Sequence, residues 1–377
     1  MKKVVLVPDS FKGSMSAVTV CSIMKDCIMR EYPGCEIISL PVADGGEGSV
    51  DCFLSDGGKK VHATVTGPFF EPVESFYGVI ENGKTAVIEM AACAGLPMVE
   101  GRANPSLTTT FGVGELIVHA ANLGCDKIIL CLGGSCTNDA GAGAAAACGI
   151  QFYNAAGNTF VPTGGTLKDI VRIDAGTLEP VLKNVEFVTM CDIDSPLYGE
   201  QGAAYVFAPQ KGADEEMVRQ LDDGLRHIAA LIARDLHTDV ADLAGGGAAG
   251  GMGAGAYAFW GARLEMGIEV VLQQFHFDEL IRGADVVFSG EGRIDSQSLR
   301  GKVVIGVARA AQKHGVPVVA VVGDIIDPIE PIYDEGVSAV FSINRVAKPF
   351  AEVRSRSAQD LALTMNNLIR FYRLIAK

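Results

Sequence analysis

The stretch MKKVVLVPDSFKGSMSA, residues 1–17, contains a strand, a polar loop and the start of a helix. Val4–Val7 is apolar and mostly β-branched, which favours a buried strand. The loop after it holds a carboxylate, a lysine, a glycine and serines, and Ser14 or Ser16 can cap a helix over residues 17–30. The stretch therefore predicts a strand–loop–helix unit of a parallel sheet, with polar side chains at the carboxyl end of the strand.

The same alternation of strand and helix recurs along the chain. Further strands are predicted at 36–42, 127–132, 185–190, 285–289, 317–322 and 338–342, and further helices at 302–314 and 357–375. Short apolar strands separated by helices indicate a parallel sheet that is covered on both faces.

The middle of the chain has a different pattern. Three β-type segments within residues 60–90 are joined by short turns, which predicts antiparallel pairing. The predicted fold class is therefore α/β with two domains. A parallel-sheet domain over residues 1–63 and 283–377 is interrupted by an inserted mixed α/β domain over residues 64–282.

Composition limits the partners and the location. A chain of 377 residues is long for one domain, and its net charge of −14 argues against nucleic acid or an anionic membrane surface as the main partner. The apolar run at 4–7 is too short for a signal peptide, and the glycine-rich run 243–262 favours a loop and a packed helix over a membrane span. Ten cysteines without a CxxC pair favour free thiols over zinc ligands. We expect a cytoplasmic protein, monomeric or homodimeric.

Polar clusters follow five of the predicted strands. They lie at residues 8–14, 44–48, 133–139, 192–196 and 289–295. Open α/β sheets bind ligands at the carboxyl ends of their strands, and acids gathered in such a place invite a cation. Aspartates, a lysine and glycine-rich loops together fit Mg²⁺-dependent phosphoryl transfer.

One stretch matches the Walker A pattern letter for letter, namely GVIENGKT at residues 78–85. That pattern binds phosphate only when a strand precedes it and a helix follows. Here Asn82-Gly83 is typical of a hairpin turn and a β-type run follows it. We therefore predict a hairpin at residues 78–85 rather than a nucleotide site.

Two other enzyme classes have weak support. No strict GxGxxG follows the first strand, and GEGRID at 290–295 offers only two glycines, so a dehydrogenase is disfavoured. No GxSxG elbow supports a hydrolase, and the six histidines stand outside the polar clusters.

Seven long motifs together resemble the bacterial glycerate kinase family of the glyoxylate and galactarate pathways. They are PDSFKGSMSA (8–17), PVADGGEGSVD (41–51), TTTFGVGELI (108–117), LGGSCTNDAGAG (132–143), CDIDSPLYGEQGAAYVFAPQKGA (191–213), GGGAAGGMGAGAYAF (245–259) and SGEGRIDSQSLRGK (289–302). The resemblance implies ATP-dependent phosphorylation of D-glycerate, with the hydroxyl on carbon 2 favoured. It also implies a flavodoxin-like domain, an inserted α/β domain and an active cleft between them.

Candidate nucleotide contacts come from the glycine-rich clusters. Glycine lets backbone approach an anion closely, and hydroxyl and amide side chains add donors. The predicted residues are Gly45, Gly46, Gly133, Gly134, Ser135, Thr137 and Asn138. Packing between helix and strand is the alternative, and it can suffice for Gly141 and Gly143.

Candidate substrate contacts come from the two ends of the chain. Arg293 can clamp the glycerate carboxylate as a bidentate donor, with Ser10 and Asp295 beside it. An ion pair of Arg293 with Glu291 or Asp295 is the alternative. Lys12 is assigned to phosphate, although the two cations could exchange roles.

The acids are assigned last. Asp192 is the predicted base, with Lys12 and Asp9 completing the catalytic set. Asp44 and Asp194 are predicted to hold Mg²⁺, and Asp9 and Asp295 are further candidates for the metal or its water shell. Two other hypotheses stay open at this point, a non-catalytic sensor of small acids and a kinase for a related hydroxy acid.

Overall fold

The computed structural model describes residues 1–43, 45–295, 298, 302–346 and 348–375. The strands are β1 (Lys3–Pro8), β2 (Glu36–Ser39), β3 (Lys59–Thr66), β4 (Pro72–Ile80), β5 (Thr85–Glu89), β6 (Lys127–Cys131), β7 (Gln151–Tyr153), β8 (Arg172–Asp174), β9 (Glu186–Met190), β10 (Arg263–Glu265), β11 (Val286–Gly290), β12 (Arg293–Ile294), β13 (Val318–Val322), β14 (Asp324–Ile325) and β15 (Val337–Ser342).

Helices alternate with these strands, and short 3₁₀ turns join several of them. The α-helices are α1 (Ala17–Glu31), α2 (Ser49–Phe53), α3 (Ala91–Ala94), α4 (Phe111–Asn122), α5 (Ala142–Ala147), α6 (Ala203–Phe207), α7 (Glu215–Leu236), α8 (Ala248–Trp260), α9 (Gly267–Gln274), α10 (Phe277–Leu280), α11 (Val303–Gln312), α12 (Pro331–Asp334), α13 (Phe350–Val353) and α14 (Ser357–Ile375).

The chain divides into two compact units. The first comprises Met1–Asp44 and Met266–Lys377, and the second is the continuous segment Gly45–Glu265. Strand β3 already pairs with β4 in the sheet of the second unit. These units differ in extent from the domains 1–63 with 283–377 and 64–282, and that domain assignment stays a prediction.

The first unit is built on a parallel sheet in the order β15-β13-β11-β1-β2. Helices α1 and α14 contact one another, and their apolar residues, spaced three or four apart, pack on side chains of β1 and β11. Helix α11 contacts β1, β11 and β13 as well. The predicted parallel sheet is confirmed. Strand β2 ends at Ser39, short of the predicted 42, although the amides of Leu40 and Val42 still donate to the carbonyl oxygens of Leu6 and Pro8 at 2.8 and 3.0 Å.

The second unit contains a mixed sheet in the order β10-β9-β6-β5-β4-β3. The pairs β3–β4 and β4–β5 are antiparallel, as predicted for residues 60–90, whereas β5, β6, β9 and β10 run parallel. The carboxyl ends of β6 and β9 therefore lie side by side, where two polar clusters begin.

The glycine-rich run at 243–262 forms a loop and helix α8, as predicted. Ala249, Gly250 and Gly251 have left-handed φ angles of 53°, 70° and 93°, so the start of α8 is kinked. A Cβ on Gly250 would lie 2.0 Å from the carbonyl oxygen of Thr137, which only glycine permits. Among the described residues, the helices are too short or too polar to cross a membrane.

The Walker-like stretch is a hairpin, which confirms that prediction. A single 3₁₀ turn, Glu81–Gly83, joins β4 to β5, and Asn82 has a left-handed φ of 56°. Lys84 is exposed, and its Nζ lies 3.3 Å from a carboxylate oxygen of Asp126.

Candidate functional site

The structure brings the two predicted glycine loops of the second unit together. The amide of Gly133 donates to the carbonyl oxygen of Gly45 at 2.8 Å. A Cβ on Gly133 would lie 2.5 Å from the Cα of Gly46, and one on Gly45 would lie 3.3 Å from the Cβ of Met190. Two loops distant in sequence thus meet at the carboxyl ends of β6 and β9, the edge at which α/β sheets bind ligands.

Gly134 is the exposed member of this group. Its φ is 75°, and a Cβ built on it would meet only Ala91, at 3.4 Å. Its carbonyl oxygen accepts from the amide of Leu96 at 2.9 Å, which anchors the loop to the segment after α3. The backbone at Gly134 is therefore fixed by neighbouring chain and open to an approaching anion.

Sequence reasoning missed a buried lysine beside this loop. Lys211 is 2% exposed, and its Nζ donates to Ser135 Oγ at 2.9 Å and to the carbonyl oxygen of Thr137 at 2.7 Å. Burial lowers the pKa of Lys211 to about 8, although the charges of Cys136 and Asp139 oppose that shift. The only sequence signal was its place in the 191–213 motif.

Thr137 and Asn138 lie inside the protein rather than at its surface. Both are fully buried beneath the left-handed turn at Gly250, whose carbonyl oxygen accepts from the amide of Ala140 at 3.0 Å. Thr137 Oγ1 and both polar atoms of the Asn138 amide have no hydrogen-bond partner among the described residues. Their role as direct nucleotide donors stays a prediction.

The Asp139 carboxylate already accepts hydrogen bonds from the backbone amides at the starts of α4 and α5. It accepts from the amide and hydroxyl of Thr110 at 2.7 and 2.9 Å, and from the amides of Gly141 and Gly143 at 3.2 Å. Burial nevertheless raises the pKa of Asp139. A Cβ on Gly143 would lie 2.2 Å from Thr109 Oγ1, so this glycine serves packing. An anion at this edge would therefore meet the loop before Asp139, not the start of α5.

Glu89, absent from the predicted site, ends the neighbouring strand β5. It is 4% exposed and accepts from the amide of Val50 at 2.6 Å. Burial raises the pKa of Glu89, and the backbone hydrogen bonds oppose this shift. The start of α2 is thus also occupied by a carboxylate of the protein itself.

Asp192 and Asp194 follow β9 in a segment without regular secondary structure. Asp192 is half-buried and Asp194 is exposed. Burial raises the pKa of the Cys131 thiol at the end of β6, and the Glu89 and Asp192 carboxylates contribute to that rise. Met190 at the end of β9 pairs with Cys131 at the end of β6, so Asp192, two residues further along, lies near the ends of both strands.

A multidentate metal centre is not found in the described part of the chain, where no three His, Cys, Asp or Glu residues form a group that could hold an ion. Asp44, one of the two predicted metal ligands, lies outside the described residues. The other predicted ligand, Asp194, is an exposed carboxylate in the segment that follows β9.

In the first unit, the loop after β1 is tied to the end of β11. The amide of Asp9 donates to the carbonyl oxygen of Gly290 at 2.8 Å, and that of Ser10 donates to Asp9 Oδ1 at 2.6 Å. Ser16, not Ser14, caps α1, since Ser16 Oγ accepts from the amide of Thr19 at 3.2 Å. Asp9 is 7% exposed.

Arg293 is paired within its own loop. Its Nε lies 3.4 Å from Asp295 Oδ2, and its side chain is 60% exposed. The ion pair that was the alternative to substrate binding is therefore present. Asp295 is only 15% exposed, but the guanidinium lies mostly in solvent, where it is accessible to a ligand carboxylate.

Glu291 is a buried acid that the predicted site did not include. It is 6% exposed, and its Oε1 has no hydrogen-bond partner among the described residues. Burial raises the pKa of Glu291 to about 7, against the charge of Lys302 and a bond from Ser298, while Asp9 and Asp295 add to the rise.

A cavity of about 260 Å³ opens at the carboxyl edge of the first unit's sheet. Its walls include Lys12, Ser14, Gly292, Asn344 and Phe350. Lys348, Asp324 and Asp360 line it as well, so the cavity combines charges of both signs with hydroxyl groups and an aromatic ring.

Comparisons with known proteins agree with one another. The family model described as "Glycerate kinase family" matches residues 4–373. A "Glycerate kinase" of Bacillus cereus is 42% identical over 100% of this chain and 99% of its own length. A "Glycerate 2-kinase" of Escherichia coli is 44% identical over 90% of each chain.

A solved structure is similar as well. The crystal structure of a protein described as glycerate kinase 2 from Salmonella typhimurium LT2 superposes with a TM-score of 0.88 at 41% identity, over 99% of this chain and 98% of that one. The match extends the likeness from sequence to the α/β fold. The chain belongs to the glycerate kinase family of enzymes.

Proposed function

We propose that the protein transfers the γ-phosphoryl group of ATP to D-glycerate, giving 2-phosphoglycerate and ADP. The observation that carries this proposal is the meeting of Gly45 and Gly46 with Gly133 and Gly134 at one sheet edge, beside Asp192. Open glycine backbone suits phosphate, and a carboxylate nearby suits a substrate hydroxyl. The choice of carbon 2 is supported by the E. coli relative, whose name is "Glycerate 2-kinase".

Each group then has a defined task. The backbone at Gly134 and the Lys12 ammonium bind phosphate oxygens, Arg293 binds the glycerate carboxylate, and Asp192 accepts the hydroxyl proton. Mg²⁺ that is already bound to ATP needs only one or two protein carboxylates, so the absence of a larger acid group in the described residues is compatible with it. Asp194 would hold that ion, which neutralises phosphate charge.

The strand order supports a flavodoxin-like first unit. Numbered along this unit's own strands, the sheet runs 2-1-3-4-5, which is the flavodoxin-like doubly wound order. The ten cysteines, all within the described residues, are buried free thiols, which supports a reducing, cytoplasmic location.

A coupled assay of ADP release with D-glycerate, ATP and Mg²⁺ tests the reaction. We expect turnover, and phosphorus NMR of the product should show 2-phosphoglycerate. No turnover at millimolar substrate would reject the kinase. Binding of glycerate in calorimetry with ATP left intact would favour a sensor instead, and faster turnover of another hydroxy acid would reassign the substrate.

Gly134→Val should raise the KM for ATP by roughly tenfold, because a branched side chain strains the left-handed backbone and covers the open amide. Lys84→Ala is the control: it removes the lysine of the Walker-like hairpin and should leave all kinetic constants unchanged. Initial rates at varied ATP measure both. A folded Gly134→Val protein with an unaltered KM would move this glycine to a packing role.

Arg293→Met should raise the KM for glycerate by roughly 10–100-fold, the effect of losing charge-assisted hydrogen bonds, and should change the KM for ATP little. Arg309→Met is a matched control, because Arg309 is also exposed and paired, with Glu335 at 2.6 Å. Initial rates at varied glycerate decide the outcome. Equal changes in both constants would show that Arg293 binds phosphate or only shapes its loop.

A further inference from the structure

An ammonium group buried in the second unit is costly. Transferring Lys211 from water to a site where it is 2% exposed carries a large desolvation penalty. Packing alone would be satisfied by an apolar side chain. The groups that the Lys211 ammonium contacts must therefore explain why a charged side chain lies at this position.

What it contacts is one short loop. Lys211 Nζ donates to Ser135 Oγ and to the carbonyl oxygen of Thr137, on either side of Cys136. The backbone of Lys211 is itself fixed, because its amide donates to the carbonyl oxygen of Ala208 at 2.9 Å. The turn at Gly212 presses on Ala103, where a Cβ would lie 2.4 Å from the carbonyl oxygen.

The same loop contains the open backbone at Gly134. Hydrogen bonds to Gly45 and Leu96 hold the backbone at the two glycines, but residues 135–138 beyond them must also be ordered, and ordering them only when a ligand binds would lower affinity. A rigid cross-link from Lys211 removes that cost before the ligand arrives.

We propose that Lys211 is a positioning residue for the nucleotide, one that holds residues 133–138 in the conformation that receives the phosphates. This role rests on the proposed kinase function. Since Lys211 is buried and spends two N–H donors on the loop, it acts through the loop rather than on the substrate. Nucleotide affinity should depend on it, whereas glycerate affinity should not.

Titration of Lys211→Met with ADP and Mg²⁺ by calorimetry tests this. We expect the Kd for ADP to rise roughly 10–100-fold, as for loss of charge-assisted bonds, while the KM for glycerate changes less than twofold. Lys168→Met, which removes an exposed lysine of the same unit, should leave both constants unchanged. An unchanged ADP affinity in folded Lys211→Met, or equal changes for ADP and glycerate, would overturn the proposal.

A second measurement uses the unmodified protein and does not depend on the variant folding. The groups that affect the Lys211 ammonium are Cys136 and Asp139, and its pKa is lowered to about 8. ADP affinity should fall as pH rises through this value, because the amine loses a donor and its charge, whereas the KM for glycerate should not follow. Lys211→Arg stays charged and should lack this step. ADP affinity that is constant from pH 7 to 9.5 would overturn the proposal.

The two proposals fail in different ways. If the unmodified protein shows no turnover, the kinase function fails and the positioning role with it. If it turns over with ADP affinity insensitive to pH and to Lys211→Met, only the positioning role fails.

Discussion

Asp192→Asn should lower kcat by roughly 10²–10⁴-fold, the usual contribution of a positioned proton acceptor. The amide keeps the size of the side chain but cannot take the proton of the substrate hydroxyl as phosphoryl transfer proceeds. Asp192 is suited to this task because it is half-buried near the ends of β6 and β9, beside the glycine loops. Steady-state rates with saturating ATP, glycerate and Mg²⁺ measure the change.

Asp194→Asn is the matched control, two residues away in the same segment after β9. If the exposed Asp194 helps to hold Mg²⁺, its loss should raise the Mg²⁺ concentration needed for half-maximal rate and leave kcat at saturating Mg²⁺ close to normal. A kcat of Asp192→Asn within tenfold of the unmodified protein would remove Asp192 from the base role.

Glu291→Gln should make the protein more stable than the unmodified form at pH 8. At pH 4 this gain in stability should be much smaller. The pKa of Glu291 is raised from 4.5 to about 7, so the folded chain binds more protons than the unfolded chain between these values. Through this group the free energy of unfolding falls as pH rises across that window. The shift corresponds to roughly 3 kcal/mol, which is the gain expected for Gln over Glu between pH 4 and pH 8.

Urea unfolding of both proteins at pH 4, 6 and 8 measures this gain. Glu279→Gln, which changes an exposed glutamate of the same unit, should show no comparable trend with pH. A constant difference between Glu291→Gln and the unmodified protein would mean that Glu291 keeps its ordinary pKa in the folded state.

The sequence predicted most of the sheet because period and composition are local properties. Val4–Val7 and the run at 318–322 are apolar enough to identify as strands without any tertiary information. The antiparallel segments of residues 60–90 are identified by their β-type residues and the short turns between them. The turn at Asn82-Gly83 could also be predicted, since its left-handed backbone depends on these two residues alone.

The site was only partly predictable for the opposite reason. Lys211 and Glu291 are charged residues whose burial depends on chain far away in sequence, so nothing adjacent to them signals it. Thr137 and Asn138 have the composition of a binding loop, yet the kink at Gly250 covers them. Glycine content showed where backbone comes close, but it could not distinguish the open Gly134 from the packed Gly143.

Because the second unit interrupts the first in sequence, the ribosome synthesises the two segments of the first unit at widely separated times. Strand β1 pairs on one side with β2 and on the other with the central strand β11, which is synthesised much later. The second unit, by contrast, is continuous and complete once Glu265 has emerged. At about 5–20 residues per second, the roughly 250 residues between Ser39 and Val286 take on the order of 10–50 s to synthesise. During that interval β1 exposes an unpaired apolar edge, which makes the nascent amino-terminal segment a client for chaperones.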